Sequence, residues 1–315
     1  MISAIMPAYN SSKYICQAIE SILNQTVSDF ELIIIDDGST DDTLDIIRKY
    51  ADQDSRIVLI QNAHGGAAAA RNSGLKAAQY PWIALLDSDD IALPNRFERQ
   101  LEAIKSNPEV VIWGSFVSHI NSKGEILSIH KVGPITETDF QRMIECGQVP
   151  QVINPTVIMK KEIVEKAGGY NTAFPPAEDT ELFDRMAEYG PILAIPEVLT
   201  YYRIHGASLS MEKFFVQRKL SRYVRLRRRN RRDGIETPTL EEYLRIEAQK
   251  PLIDRLKQMR SDYYVYYYRT AGYKYAQNQY LRAVFYFALS ALLNPKYALK
   301  RVWNQKLSHM MNSEN

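Results

Sequence analysis

Apolar residues in the first third of the chain come in short unbroken runs, and each run ends on small polar or acidic residues. Ile2–Met6 closes on Pro7-Ala8-Tyr9-Asn10. Phe30–Ile35 closes on Asp36-Asp37-Gly38-Ser39-Thr40-Asp41-Asp42, and Trp82–Leu86 on Asp87-Ser88-Asp89-Asp90. Such runs read as strands buried on both faces, as in a parallel sheet. Helical patterns lie between them. Ile15, Ala18, Ile19, Ile22 and Leu23 lay an apolar stripe on a helix over Tyr14–Asn24. A second helix, Thr43–Tyr50, follows the acidic turn with Ser39 or Thr40 as its cap. Ala67–Ala78 is rich in strong helix formers, and Arg56–Gln61 adds a strand. This alternation predicts an α/β fold, a mostly parallel sheet flanked by helices.

Further along, the pattern predicts a helix over Pro94–Ser106 and strands at Val110–Ser118, Asn154–Met159 and Val198–Arg203. Helices are expected at Gln141–Gly147, Lys161–Ala167 and Thr180–Tyr189. Beyond about residue 210 only helices remain, at Leu240–Met259 and Tyr263–Tyr275. The chain therefore divides into an α/β domain over 1–210 and an α-helical C-terminal region over 211–315. Ala283, Phe287, Ser290 and Pro295 follow the spacing of the second helix of a tetratricopeptide unit, so this region is partly tetratricopeptide-like. A lone unit needs a surface to pack on.

Composition narrows the class. With 45% apolar and 24% charged residues, the chain can bury a globular core. Cys16 and Cys146 lie far apart and lack metal-ligand spacing, as expected for a reducing compartment. The N-terminus lacks the build of a signal peptide, and no apolar run approaches the roughly 20 residues of a spanning helix. These features place the protein in the cytoplasm, or at the inner face of a membrane as a peripheral protein. Nine basic residues crowd 218–232. They suit a solvated helical face, or an anionic lipid surface at about 1 kcal/mol per residue. Nucleic acid is not expected, because net charge is only +2 and Tyr223 is the one interleaved aromatic.

The chemistry concentrates at Asp87, Asp89 and Asp90. Ligands of open α/β sheets bind beyond the carboxyl ends of the strands. Three acids there call for a hard divalent cation with oxygen ligands. No G-x-G-x-x-G follows the first strand and no G-x-x-x-x-G-K-S/T occurs, so a metal bridging to phosphates is the remaining way to manage their charge. Glu178 and Asp179 stand at a helix start, where the dipole favours acids.

Four segments then occur in order: Pro7-Ala8-Tyr9-Asn10, Asp36 to Asp41, Gly66 through Arg71-Asn72-Ser73-Gly74, and Asp87-Ser88-Asp89-Asp90. Together they resemble a family 2 glycosyltransferase of the GT-A fold, closely over the first third and more loosely to about residue 210. The resemblance implies a nucleotide-diphospho-sugar site. Pro7, Ala8 and Tyr9 would line the base, and Asp37 would accept its imide N–H. Arg71 would reach the base or pyrophosphate, or else make a surface salt bridge. Asp87 would face the ribose, or the metal through water, and Asp90 would serve the following turn. Asp89 would ligate Mn²⁺ or Mg²⁺. His205, in Tyr202-Arg203-Ile204-His205-Gly206-Ala207-Ser208, would approach the metal or diphosphate.

Asp179, with Glu178 beside it, maps to the catalytic base. Helix amides and a nearby cation are expected to keep Asp179 ionised. The implied function is inverting, metal-dependent transfer from a nucleotide-diphospho-sugar, with a uridine base expected. The acceptor would be a hydroxyl of a saccharide or lipid-linked glycan, in polysaccharide or glycolipid synthesis, with Gly114–Pro150 shaping its pocket. Two alternatives stay open. One is a nucleotidyltransferase making sugar nucleotides, although Pro7–Ser12 lacks its glycine-rich basic loop. The other is a catalytically silent scaffold working through the helical tail.

Overall fold

The computed structural model describes residues 1–205 and 209–297. Its strands are β1 (Ile2–Ala8), β2 (Phe30–Asp36), β3 (Ile57–Gln61), β4 (Trp82–Leu85), β5 (Ile91–Ala92), β6 (Ile112–Ile120), β7 (Ile126–His130), β8 (Ile158–Lys160) and β9 (Ile192–Arg203). The helices of the α/β part are α1 (Ile15–Leu23), α2 (Thr43–Gln53), α3 (Ala67–Ala77), α4 (Arg96–Ser106), α5 (Glu137–Glu145), α6 (Lys161–Lys166) and α7 (Glu178–Met186). The C-terminal helices are α8 (Leu209–Glu212), α9 (Phe214–Arg232), α10 (Leu240–Gln249), α11 (Leu252–Ala276) and α12 (Tyr280–Leu293).

All these strands join one sheet, in the order β3-β2-β1-β4-β8-β6-β9-β5, with β7 on β6. The first four strands pair in parallel, as their doubly buried apolar runs require. Antiparallel pairs enter at β8, which lies between β4 and β6, while β6 and β9 are parallel. Register brings the site together. Ala8 stands opposite Asp36 and Ile5 opposite Leu85, so three acidic or polar loops leave the same edge. β5 then pairs Ile91 with Tyr201, which returns the end of β9 along the acids.

Three local expectations are corrected. Neither Ser39 nor Thr40 caps α2. Both are engaged with Asn10, whose N–H donates to Ser39 Oγ and whose side-chain oxygen accepts from Thr40 N. Asp41 instead accepts from the Thr43 amide, 3.0 Å away. Asn154–Thr156 is a 3-10 turn rather than strand, because Pro155 has no N–H for a ladder. The helix expected over Leu240–Met259 breaks at Pro251, and α11 then runs on through the second expected helix to Ala276.

The C-terminal helices pack onto the sheet domain. Leu220, Tyr223 and Val224 of α9 form an apolar cluster with Phe174, Ala177, Val149 and Tyr243. Most arginines of the basic run find carboxylates within the molecule. Arg218 and Arg222 pair with Asp262, and Arg227 with Glu181 and Asp184. Arg228 and Arg231 pair with Asp184 and Glu188, and Arg232 with Asp233. Gly206, Ala207, Ser208 and the last part of the helical region, 298–315, lie outside the described residues.

Candidate active site

The loops after β1 and β2 are laced together by the Asn10 bonds and by the Asp37 amide, which donates to Ala8 O at 2.8 Å. Asp37 is almost wholly buried, and its oxygens accept the amides of Gly65 and Gly66 at 3.0 and 2.7 Å. Gly66 has φ +85°, a conformation that costs glycine little, and it starts α3. Asp37 therefore first holds the loop ahead of α3, and only its remaining lone pairs are available to a base. Tyr9 is exposed, and its ring lies 4.2 Å from that of His64. His64 Nδ1 is 3.1 Å from an Asp37 oxygen. His64 carries no motif, so the sequence did not point to it. Pro7 and Ala8 continue the same wall from the end of β1.

Arg71 projects from α3 and is buried. Its two terminal nitrogens reach Asp87 Oδ1 and Glu178 Oε1, each at 2.9 Å. Burial alone would pull the guanidinium down. Asp87 and Glu178 outweigh it and hold Arg71 above its ordinary value. Arg71 is thus not a surface salt bridge: it ties the end of β4 to the start of α7. The ring of Tyr170 lies 5.6 Å from the guanidinium carbon. Asn72 holds Tyr170 through both backbone groups at 2.8 Å.

Asp89 Oδ2 and His205 Nε2 lie 2.6 Å apart. Both side chains keep some exposure, 29% and 19%, so a ligand can reach them. The two are held by what surrounds them. Arg203 donates its amide to Asp90 Oδ1 and its Nε to the Asp89 carbonyl, each at 2.8 Å. Its guanidinium sits over Tyr14 at 4.4 Å, and the Tyr14 ring lies 5.4 Å from that of His205. Asp90 therefore anchors β9, as its expected structural place suggested. Burial, with Asp89 and Asp87 close by, raises Asp90 well above the carboxylate range; Asp87 is raised by burial, against Arg71. Arg96 lies fully buried beneath, donating to the carbonyls of Leu85 and Val157. Burial lowers it to about 9, and Asp90 and Asp87 oppose that. Sequence alone gives Arg203 and Arg96 no role, because their partners are carbonyls that only folding brings beside them.

Asp179 sits at the first turn of α7, and Oδ1 accepts the Thr180 amide at 2.6 Å. Burial and then Glu178 raise it to about 6, with Thr180 and Arg71 opposing. Desolvation of this half-buried acid is the largest influence, and the Thr180 amide acts against it. At neutral pH it is ionised but a stronger base than a free aspartate.

The family model described as "Glycosyl transferase family 2" matches residues 3–168, which span β1 to α6. The chain belongs to family 2 of the glycosyltransferases. A glycosyltransferase from Haemophilus influenzae of uncharacterized specificity is 44% identical to this enzyme over 68% of the chain and 83% of its own length. The Escherichia coli UDP-Glc:alpha-D-GlcNAc-diphosphoundecaprenol beta-1,3-glucosyltransferase WfaP is 33% identical over 68% of the chain and 81% of its own. A Pyrobaculum calidifontis mannosyltransferase, solved with GDP-Man and Mn²⁺, shares the fold at 16% identity. Its TM-score is 0.56, over 96% of this glycosyltransferase and 78% of that chain. The chain is a GT-A glycosyltransferase, and the nucleotidyltransferase and silent-scaffold alternatives fall away. No helix among its described residues is long and apolar enough to cross a membrane.

Proposed function

We propose that this glycosyltransferase moves a sugar with inversion from a UDP-sugar to a hydroxyl of a glycan carried on a lipid diphosphate. The observation that carries the reading is the Arg71 bridge. One guanidinium spans Asp87 and Glu178, so the acids after β4 and those opening α7 share one cleft. Asp179 follows Glu178 directly in α7, and Arg71 acts on its charge. Division of labour follows, because a carboxylate that grips a cation is a poor base. Asp179 takes the proton of the acceptor hydroxyl as its oxygen attacks the anomeric carbon and the nucleoside diphosphate leaves.

Asp89 and His205 fit a divalent cation, Mn²⁺ or Mg²⁺, by supplying one oxygen and one nitrogen. No cluster of three or more candidate ligands occurs among the described residues. Such a site suits a cation that keeps waters and takes donor phosphates. When bound, it would offset charge on the departing diphosphate. The base pocket is formed by Pro7, Ala8, Tyr9 and Asp37, with His64 against Tyr9. A carboxylate accepts from uracil or guanine N–H alike. WfaP, which is 33% identical and named for UDP-Glc, favours uridine over the more distant GDP-Man enzyme. Its diphosphoundecaprenol-linked acceptor supports the lipid-diphosphate class, which would bring this enzyme to a membrane surface.

The test is incubation with a panel of UDP- and GDP-sugars, Mn²⁺ and a lipid-diphosphate glycan, reading UDP or GDP release and product anomer. UDP release with an inverted linkage, abolished by chelator and by Asp89→Ala, is expected. Full turnover in chelator would reject the metal role, and a retained anomer would reject the single displacement.

A further inference from the structure

A cavity of about 580 Å³ opens between α5, α9 and the 132–135 loop, away from the acids. Arg225 and Arg229, one helical turn apart on α9, line it. Their neighbours Arg218, Arg222, Arg227, Arg228, Arg231 and Arg232 all meet carboxylates. Arg225 and Arg229 meet none among the described residues. Arg225 is also lowered by burial and by Arg218, Arg222 and Arg229, with no acid opposing. Asp139 is the one acid on the wall. Its carboxylate is taken up by Thr136 Oγ1 at 2.8 Å and by Arg142.

The walls are built close. Gly133 has φ +111°, and a Cβ there would stand 2.7 Å from the Ala194 Cβ. Gly147 has φ +64°, and a Cβ there would meet the Arg229 side chain at 3.1 Å. A side chain at Gly133 would collide with Ala194 and Val152, and one at Gly147 would press on Arg232 and Arg229. Val149 lines the same cavity and packs in the cluster that contains Ala177, two residues before Asp179. That cluster joins one wall of the cavity to the segment that leads into α7.

We infer that this cavity receives the diphosphate of the acceptor. Two guanidinium forks suit phosphate oxygens better than carboxylate or hydroxyl groups do. An anion held there would neutralise the two arginines of the run that meet no carboxylate among the described residues. The inference rests on the lipid-diphosphate acceptor proposed above, but its site can be tested without catalysis.

Inorganic pyrophosphate, titrated calorimetrically into the full chain in chelator, should bind. The double variant Arg225→Gln/Arg229→Gln should bind it about tenfold more weakly or worse, with an unchanged thermal midpoint. Equal affinity in both proteins would overturn the assignment, as would no binding to either. In steady state, the variant should raise KM for a diphosphate-bearing glycan relative to KM for the same sugar as an uncharged glycoside, by about tenfold. An equal rise for both acceptors would mean a structural effect and overturn it. Loss of binding to phosphatidylglycerol vesicles with pyrophosphate affinity intact would assign the arginines to a membrane surface instead. If no diphosphate acceptor is used but the variant still loses pyrophosphate, the anion site stands and the acceptor class alone fails.

Discussion

At the scale of single residues, the cleft is a set of acids whose charge is managed by buried arginines. Asp179 illustrates the consequence. Its folded pKa of about 6 exceeds the ordinary 3.8, so the folded state binds more protons between those values. Stability contributed by this group is therefore present below pH 3.8 and lost as pH rises through 6. Asp179→Asn should raise the unfolding free energy at pH 7.5 by on the order of 1–2 kcal/mol, and leave it unchanged near pH 3.5. The same variant should lose roughly 10²-fold or more in kcat. The wild-type rate should fall on acidification with an apparent pKa near 6. Calorimetric scans and a pH–rate profile check both. Arg71→Met should cost about 3–5 kcal/mol, because two carboxylates lose their shared partner. Urea unfolding measures it, and Arg71→Lys, with one ammonium for two acids, should recover only part.

At the scale of elements, pattern reading succeeded where burial is uniform and failed where one residue interrupts it. β1, β2 and β4 were legible because each is apolar along most of its length. Pro155 and Pro251 cut elements that hydrophobic periodicity alone would extend. The long α11 is held to α9 by Asp262, a buried acid that takes Arg218 and Arg222. Asp262→Ala should loosen that contact by on the order of 2 kcal/mol. Hydrogen exchange should then quicken in α11 and α9 and stay unchanged in β1 and β2.

At the scale of the whole molecule, we propose that the 1–210 and 211–315 units are not independent. Asp184 is fully buried and draws its countercharge from Arg227, Arg228 and Arg231 of α9. A chain ending at residue 210 would leave that acid unpaired and uncover Phe174 and Ala177. It should be poorly soluble or unfolded, whereas a chain ending after α9 should keep the sheet domain folded. Circular dichroism and gel filtration of the two truncations decide it.

The sequence by itself determined the α/β alternation, the family and the identity of the acids in the cleft. Those follow from local signals: unbroken apolar runs, turn residues and the order of four motifs. Only the tertiary structure decided how the charges pair. Arg71, Arg96 and Arg203 look alike in sequence, yet each meets carboxylates or carbonyls that folding brings from other segments. The basic run of 218–232 likewise reads as one surface. Packing against α7 and α11 divides it into paired arginines and two that face a cavity, because a charge acts through what folding places beside it.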